Sequence, residues 1–245
     1  MTVAAVSKSA VLLRAFGPTT DVLSTRALAA RTGIPRSTVH VLASTLAAEG
    51  LLETVPGRGW RLGPLLVGLA GQIIERTGLV AAVEGGLGGL RRAAGQEVHV
   101  AQLVGGWTVY LHREAGPVRA PMDNRVGLRA PAWRGGCGKA ALSRLSPAEV
   151  DERVERLCRD EGLAPPDRAA LHDELGVARR AGYVVSSTFQ AGRTSVAAPV
   201  VDADGRPVGG LSVAGPSSLF SRAVLARCAG DVVEAATRAA RQLTS

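Results

Sequence analysis

The chain has 245 residues, 46% hydrophobic and 20% charged, which is enough to bury a core as one large domain or two modest ones and excludes a disordered or fibrous protein. Aromatic residues make up only 3%, and the net charge of +8 comes almost wholly from arginine, because Lys8 and Lys139 are the only lysines among 29 basic residues. A basic surface suits a polyanionic partner, although a G+C-rich coding bias toward Arg, Ala and Gly gives the same bulk number.

The first 76 residues are helical by periodicity and carry half of the basic excess, eight Lys and Arg against four acids. On so short a segment this makes them the better candidate for an anionic partner. Ser7 to Phe16 reads as a helix with Ala10, Leu13, Ala15 and Phe16 on or near one face, ended by Gly17-Pro18. Ser24 caps a second helix, Thr25 to Arg31, whose apolar residues are Ala27, Leu28 and Ala30. Thr32-Gly33-Ile34-Pro35 follows, with Gly33 suited to a left-handed turn and Pro35 to the first turn of a third helix running to Glu49. Val39, Leu42, Thr45 and Leu46 are its expected inward positions.

With Ala29 at the crossing, Gly33 at the turn, and Val39 and Leu42 packing back, this spacing is a helix-turn-helix. An ordinary helical hairpin is the plain alternative. The exposed side of the second helix offers Arg36, Ser37, Thr38 and His40 near the N-terminus that such motifs insert into the major groove. Leu51 to Val55 and Gly59 to Leu62 read as a hairpin with Arg58 at its tip, a wing laid on the backbone or minor groove, and Trp60 reads as core.

Leu62 to Ile74, the longest charge-free apolar stretch near the front, is 13 residues, short of the ~20 that span a bilayer, and reads as a buried or linking helix. Glu84 to Leu90 contains four glycines and by itself reads as a linker. Beyond it the pattern is mixed. Strands are expected at Glu97–Val104, Thr108–His112, Tyr183–Thr188, Ser195–Val201 and Pro207–Ala214, the last two joined at Asp204-Gly205. Helices are expected at Gly138–Leu145, from the Ser146–Glu149 capping box to Asp160, at Arg168–Ala181 and at Arg222–Leu243. The fold class is therefore α+β.

Three widely spaced cysteines, Cys137, Cys158 and Cys228, make neither a disulfide framework nor a metal pair, which fits a reducing compartment. No export signal precedes the first helix, so a cytoplasmic protein is expected. The four histidines lie in unrelated elements, and no metal or cofactor is called for. Cys137, beside glycines near an expected helix start, is placed where a thiolate would be favoured.

The run Gly33-Ile-Pro-Arg-Ser-Thr-Val-His40, with Leu46, Glu49-Gly50-Leu51 and Trp60-Arg61-Leu62-Gly63, resembles the IclR family of bacterial transcriptional regulators. The resemblance runs nearly full length, through Gly95-Gln-Glu-Val-His99, Arg125-Val-Gly127, Gly138-Lys139-Ala140, Gly182-Tyr183, Ala197-Ala198-Pro199-Val200, Leu211-Ser212-Val213 and Gly215-Pro216. It implies a winged helix-turn-helix over residues 1–63, a linker helix over 64–79 and a GAF-like effector-binding domain over 80–245. It further implies a homodimer or homotetramer on a pseudo-palindromic double-stranded DNA operator, with binding controlled by a small molecule.

The DNA-contacting residues would be Thr25, Arg26, Pro35, Arg36, Ser37, Thr38, His40 and Arg58. The effector pocket would draw on the loop Trp133, Arg134, Gly135, Gly136 and Cys137, on Ser195, Ser212 and Ala214, and on Met122, Leu128 and Phe189 as apolar walls. The chain departs from the family pattern at Trp133-Arg134, where His-Ala is frequent, and after Tyr183, where acids are frequent and Val-Val-Ser-Ser-Thr-Phe-Gln stands instead. These departures favour an anionic effector. Val41 stands where Arg is common. Two other classes fit parts of the chain: a thiol-dependent small-molecule enzyme built on Cys137, and an architectural DNA binder without sequence preference.

Overall fold

The structure, a computed structural model, describes residues 3–17, 20–94, 96–116 and 126–243, with the backbone alone for 92–94. Pro18, Gly95, Met122 and Arg125, which entered the expectations above, lie outside the described residues. The chain divides into two compact units, Met1–Arg76 and Thr77–Ser245.

In the first unit, α1 (Ala4–Arg14), α2 (Thr25–Thr32) and α3 (Arg36–Ala48) precede the antiparallel strands β1 (Leu52–Val55) and β2 (Gly59–Leu62). Local chemistry sets the boundaries. The Ser24 hydroxyl accepts from the Ala27 amide at 3.1 Å, leaving one fewer unpaired donor at the start of α2. Gly33 ends α2 at φ 69°, a left-handed conformation that only glycine adopts without a steric penalty. The core is Leu12, Leu23, Leu28, Ile34, Val39, Ala43, Leu46, Leu52 and Trp60.

Three details differ from the sequence reading. Leu12 is the fully buried residue of α1 and Leu13 only half so. Ala43 takes the inward place expected of Thr45, whose hydroxyl bonds back to the Val41 carbonyl at 3.0 Å. Ala30 is exposed while Ala29 packs against the core. Next comes α4 (Leu65–Thr77), which has no buried residue.

The second unit opens with α5 (Leu79–Ala94). The glycine-rich segment, which by its composition reads as a linker, is thus helical. Leu79, Ala82, Val83, Leu87 and Leu90 are buried at three- and four-residue steps, and this apolar stripe outweighs the low helix propensity of the glycines. Six strands follow: β3 (Glu97–Val104), β4 (Trp107–Glu114), β5 (Arg129–Pro131), β6 (Val184–Ser186), β7 (Arg193–Val201) and β8 (Pro207–Pro216). They form one antiparallel sheet in the order β5-β4-β3-β8-β7-β6.

Between β5 and β6 lie α6 (Gly136–Leu142), α7 (Pro147–Glu161) and α8 (Arg168–Ala181), and α9 (Arg222–Leu243) closes the unit. Helices cover both faces of the central strands. Leu79 of α5 closes on Gly209, and Cys137 of α6 closes on Gly210, its neighbour on the opposite face. That is why β8 is almost continuously apolar and buried rather than alternating. Ser146 and Glu149 make the expected reciprocal cap on α7, a device whose loss costs about 1 kcal/mol. The Asp202 carboxylate accepts from the Asp204 and Arg206 amides, so its side chain serves the β7–β8 turn.

Candidate functional site

Two groups of residues gather where function was expected. The first is the outer face of the helix-turn-helix. Thr25, Arg36, Ser37 and His40 line an open concavity of about 370 Å³. Its wall is fixed from below by Trp60, whose indole N–H donates to the Thr25 hydroxyl at 3.1 Å and whose ring lies 6.0 Å from that of His40. Arg26 and Pro35 are exposed beside it, Pro35 being the N-cap residue of α3, while Thr38 is half-buried. Arg58 is exposed at the wing turn.

The basic residues of this unit divide by use. Arg31 donates to the Ala15 carbonyl at 2.9 Å, and Arg61 is paired with Glu53 across the wing strands. Among the described residues neither Arg36 nor Arg58 has an ion-pair partner. A free guanidinium with hydroxyls at the start of α3 is a donor set that receives phosphate oxygens, and Arg58 offers a second free guanidinium at the wing turn.

The second group lies on the sheet face under α6. Cys137 is packed with Ala101 and Tyr110, and Leu128 and Phe189 pack against them. Tyr110 stands edge-on to His99 and to Phe189, with ring centroids 5.9 and 6.0 Å away. Register pairs Ser195 with Ala214, and Ser212 with both Ala197 and His99. The Cys137 thiol donates to the Ser212 hydroxyl at 3.1 Å, and the Ser195 hydroxyl donates to the Ser186 carbonyl at 3.2 Å. The helix approaches this closely because of its glycines: a Cβ on Gly136 would lie 2.6 Å from Ser195 Oγ, and one on Gly138 would overlap Thr108 and the Ala132 carbonyl.

Trp133 and Arg134 do not join this group. Trp133 packs with the core between α7 and α8, and the Arg134 side chain is exposed while its carbonyl accepts from the Thr188 hydroxyl at 2.9 Å. The segment carrying Phe189 is anchored to α6 by the buried Lys139, whose ammonium meets both Glu174 oxygens at 2.8 Å and the Thr188 hydroxyl at 3.0 Å.

Electrostatically the site is a low-dielectric floor with one compensated charge. Burial pushes the Cys137 thiol up to about 12, against the expectation of a favoured thiolate. Burial alone would also raise Glu97, but its contacts with His99 and Arg113 outweigh that and hold the carboxyl below its ordinary range. Arg113 grips Glu97 two-pronged, at 2.8 and 3.2 Å. His99 is kept neutral by burial, against the pull of Glu97, whose oxygen lies 3.4 Å from Nε2 without hydrogen-bond geometry.

The structure also brings Tyr110 and His99 to this group, with Glu97 and Arg113 beside them, and none of the four was singled out as a candidate from the sequence. Alternation along β3 and β4 was visible, but which residues meet across strands depends on register, and β3 and β4 shift register at Val100 and Ala101. Among the described residues no cluster of His, Cys, Asp and Glu could hold a metal ion, and no single helix is long and apolar enough to cross a membrane.

Comparison with known proteins decides the identity of this arrangement. Residues 5–56 match the IclR helix-turn-helix domain, and residues 71–242 match the family described as bacterial transcriptional regulator IclR C-terminal. The chain belongs to the IclR family. Its relatives include the HTH-type transcriptional regulator BhcR of Paracoccus denitrificans, 30% identical over 85% of this chain and 76% of that one. Another is the transcriptional repressor IclR of Escherichia coli, 26% identical over 85% of this chain and 78% of that one. The fold matches that of an IclR homologue from Microbacterium hydrocarbonoxydans complexed with 4-hydroxybenzoate, with a TM-score of 0.80, 22% identity and coverage of 98% and 99% of the two chains. This IclR-family chain is therefore a DNA-binding transcriptional regulator by descent, with the winged helix-turn-helix and the α/β domain in the order of its relatives.

Proposed function

We propose that the chain is a one-component regulator acting in the cytoplasm as a homodimer, with α3 of each copy in the major groove of one half of a pseudo-palindromic operator. The observation that carries this reading is the concavity of Thr25, Arg36, Ser37 and His40 at the start of α3, with Arg36 unpaired. Thr25, Arg36 and His40 would take phosphate oxygens, Arg26 and Pro35 would flank the contact, Ser37 and Thr38 would face the groove, and Arg58 would rest on the backbone beyond it. A second copy would cover α4, where Leu65, Val67, Leu69 and Ile73 are 43 to 74% exposed on a helix with no buried residue. A gel-shift titration tests the DNA contact: Arg36→Ala should weaken operator binding, and unchanged binding would refute the assigned face.

Effector control is supported by the 4-hydroxybenzoate complex of the Microbacterium homologue, which shares the fold. In this chain the effector would lie beside Gly135, Gly136 and Cys137, among Leu128, Phe189, Tyr110, Ser195, Ser212 and Ala214, and its entry would need α6 or the Phe189 segment to move off the sheet, because the Cys137 thiol is closed on Ser212. An organic anion is the favoured class. The Phe189 segment, residues 186–190, carries no acid and is tied to the Arg134 backbone, and the Glu97 charge is already matched by Arg113. Binding one conformation better than another, the anion would shift operator occupancy. Calorimetry against small carboxylates, amines and neutral molecules checks the class, and tight binding of only the last two would overturn it. No catalytic step is assigned: a thiol held near 12 is not a nucleophile at neutral pH. The bound molecule should be recovered unchanged.

A further inference from the structure

The exposed surface of α3 is not uniform. At about 100° per residue, Ser37, Val41 and Ala48 project within about 30° of the direction opposite the buried stripe of Val39, Ala43 and Leu46. Arg36 and His40 stand round one side, where they line the concavity with Thr25 and where His40 meets Trp60. Val41 is 63% exposed, an apolar side chain at the middle of the outward face. The Thr45 hydroxyl turns back onto the Val41 carbonyl, leaving Ser37 and Ser44 as the polar neighbours of Val41 on this face.

None of the side chains at that centre can make the two-pronged hydrogen bonds by which Arg or Lys reads guanine and Asn or Gln reads adenine. What Val41 offers is an apolar surface, and the one apolar group on a base edge in the major groove is the C5-methyl of thymine. A single exposed valine is unremarkable on a protein surface. Here it sits beside a rim of phosphate-binding chemistry, on the one face of the helix that the core leaves open, and the short side chains around it let the helix sit deep in the groove.

We infer that Val41 fixes the operator sequence in the middle of each half-site by packing on a thymine methyl, while Thr25, Arg36 and His40 hold the sugar-phosphate backbone beside it. This rests on the placing of α3 in the major groove proposed above. Base recognition is therefore divided from anchoring: the charged residues supply affinity and orientation, and an uncharged centre selects thymine and disfavours guanine at that position.

The test uses duplexes selected from a random-sequence library by the full-length wild-type protein, with each thymine replaced singly by deoxyuridine, which removes only the methyl group. Fluorescence anisotropy is read for the wild type, Val41→Ser and Arg36→Ala, with helical content and melting of each variant checked by circular dichroism. At one thymine in each half-site, loss of the methyl should weaken wild-type binding about four-fold, and Val41→Ser should show no such loss there. If every methyl effect is the same in the wild type and Val41→Ser while Arg36→Ala still binds weakly, thymine reading by Val41 is overturned and the docking of α3 stands. If both variants bind as the wild type does, α3 is not the DNA-facing helix and both readings fall.

Discussion

Cys137 illustrates how burial overrules a local motif. Next to glycines at a helix start it reads as a reactive thiol, but α6 lies flat on the sheet and the thiol is sealed against Ser212. Iodoacetamide at pH 8 should leave Cys137 unmodified in the native protein and label it after unfolding, as read by peptide mass spectrometry. The glycines around it are steric necessities, so Gly138→Ala should destabilise the α/β unit by about 1–3 kcal/mol in urea unfolding, the usual penalty for forcing a group into a packed interior. At this scale the sequence was most legible where one residue decides the matter locally: the Ser24 cap, the left-handed Gly33 and the Ser146–Glu149 box. It was least legible where a tertiary neighbour chooses between adjacent residues, as with Leu12 over Leu13 and Ala43 over Thr45.

Among the elements, α5 is the instructive one. Gly85 and Gly89 are exposed, and an added Cβ on either would meet open space, so their effect is to weaken a helix held together by its buried stripe. Replacing each with Ala should add about 0.5–1 kcal/mol of stability, seen as a higher melting temperature. Strand β5, only three residues, gave no periodicity to read and is set by its pairing with β4. The Glu97–Arg113 pair and His99 on β3 and β4 make the α/β unit sensitive to acid. His99 and Glu97 both lie below their ordinary values of 6.5 and 4.5 in the folded protein, so the unfolded chain binds protons first as pH falls. The contribution of these two groups to stability should therefore be complete above about pH 6.5, decline as His99 is forced toward protonation and decline further below about pH 4.5. Urea midpoints measured across that range check this, and a midpoint that rises on acidification would contradict it.

For the whole molecule, the net charge of +8 takes on structure. Part of the N-terminal half of that excess is spent internally, on Arg31 and Arg61, and the remainder leaves Arg36 and Arg58 free at the helix start and the wing tip. A protein whose binding rests on such contacts should lose affinity steeply as salt rises. The exposed apolar side of α4 supports a two-copy assembly, and Ile73→Asp should shift the protein toward monomer in sedimentation experiments and weaken operator binding with it. The most direct test is an anisotropy titration of the full-length protein, at fixed salt, on a duplex that the wild type selects from a random-sequence library and on a scrambled duplex of equal length, with Arg36→Ala in parallel. The wild type should bind the selected duplex tightly and the scrambled one weakly, and Arg36→Ala should lose that preference. Equal wild-type affinity for both duplexes, or a preference untouched by the substitution, would rule out sequence-specific binding through the start of α3.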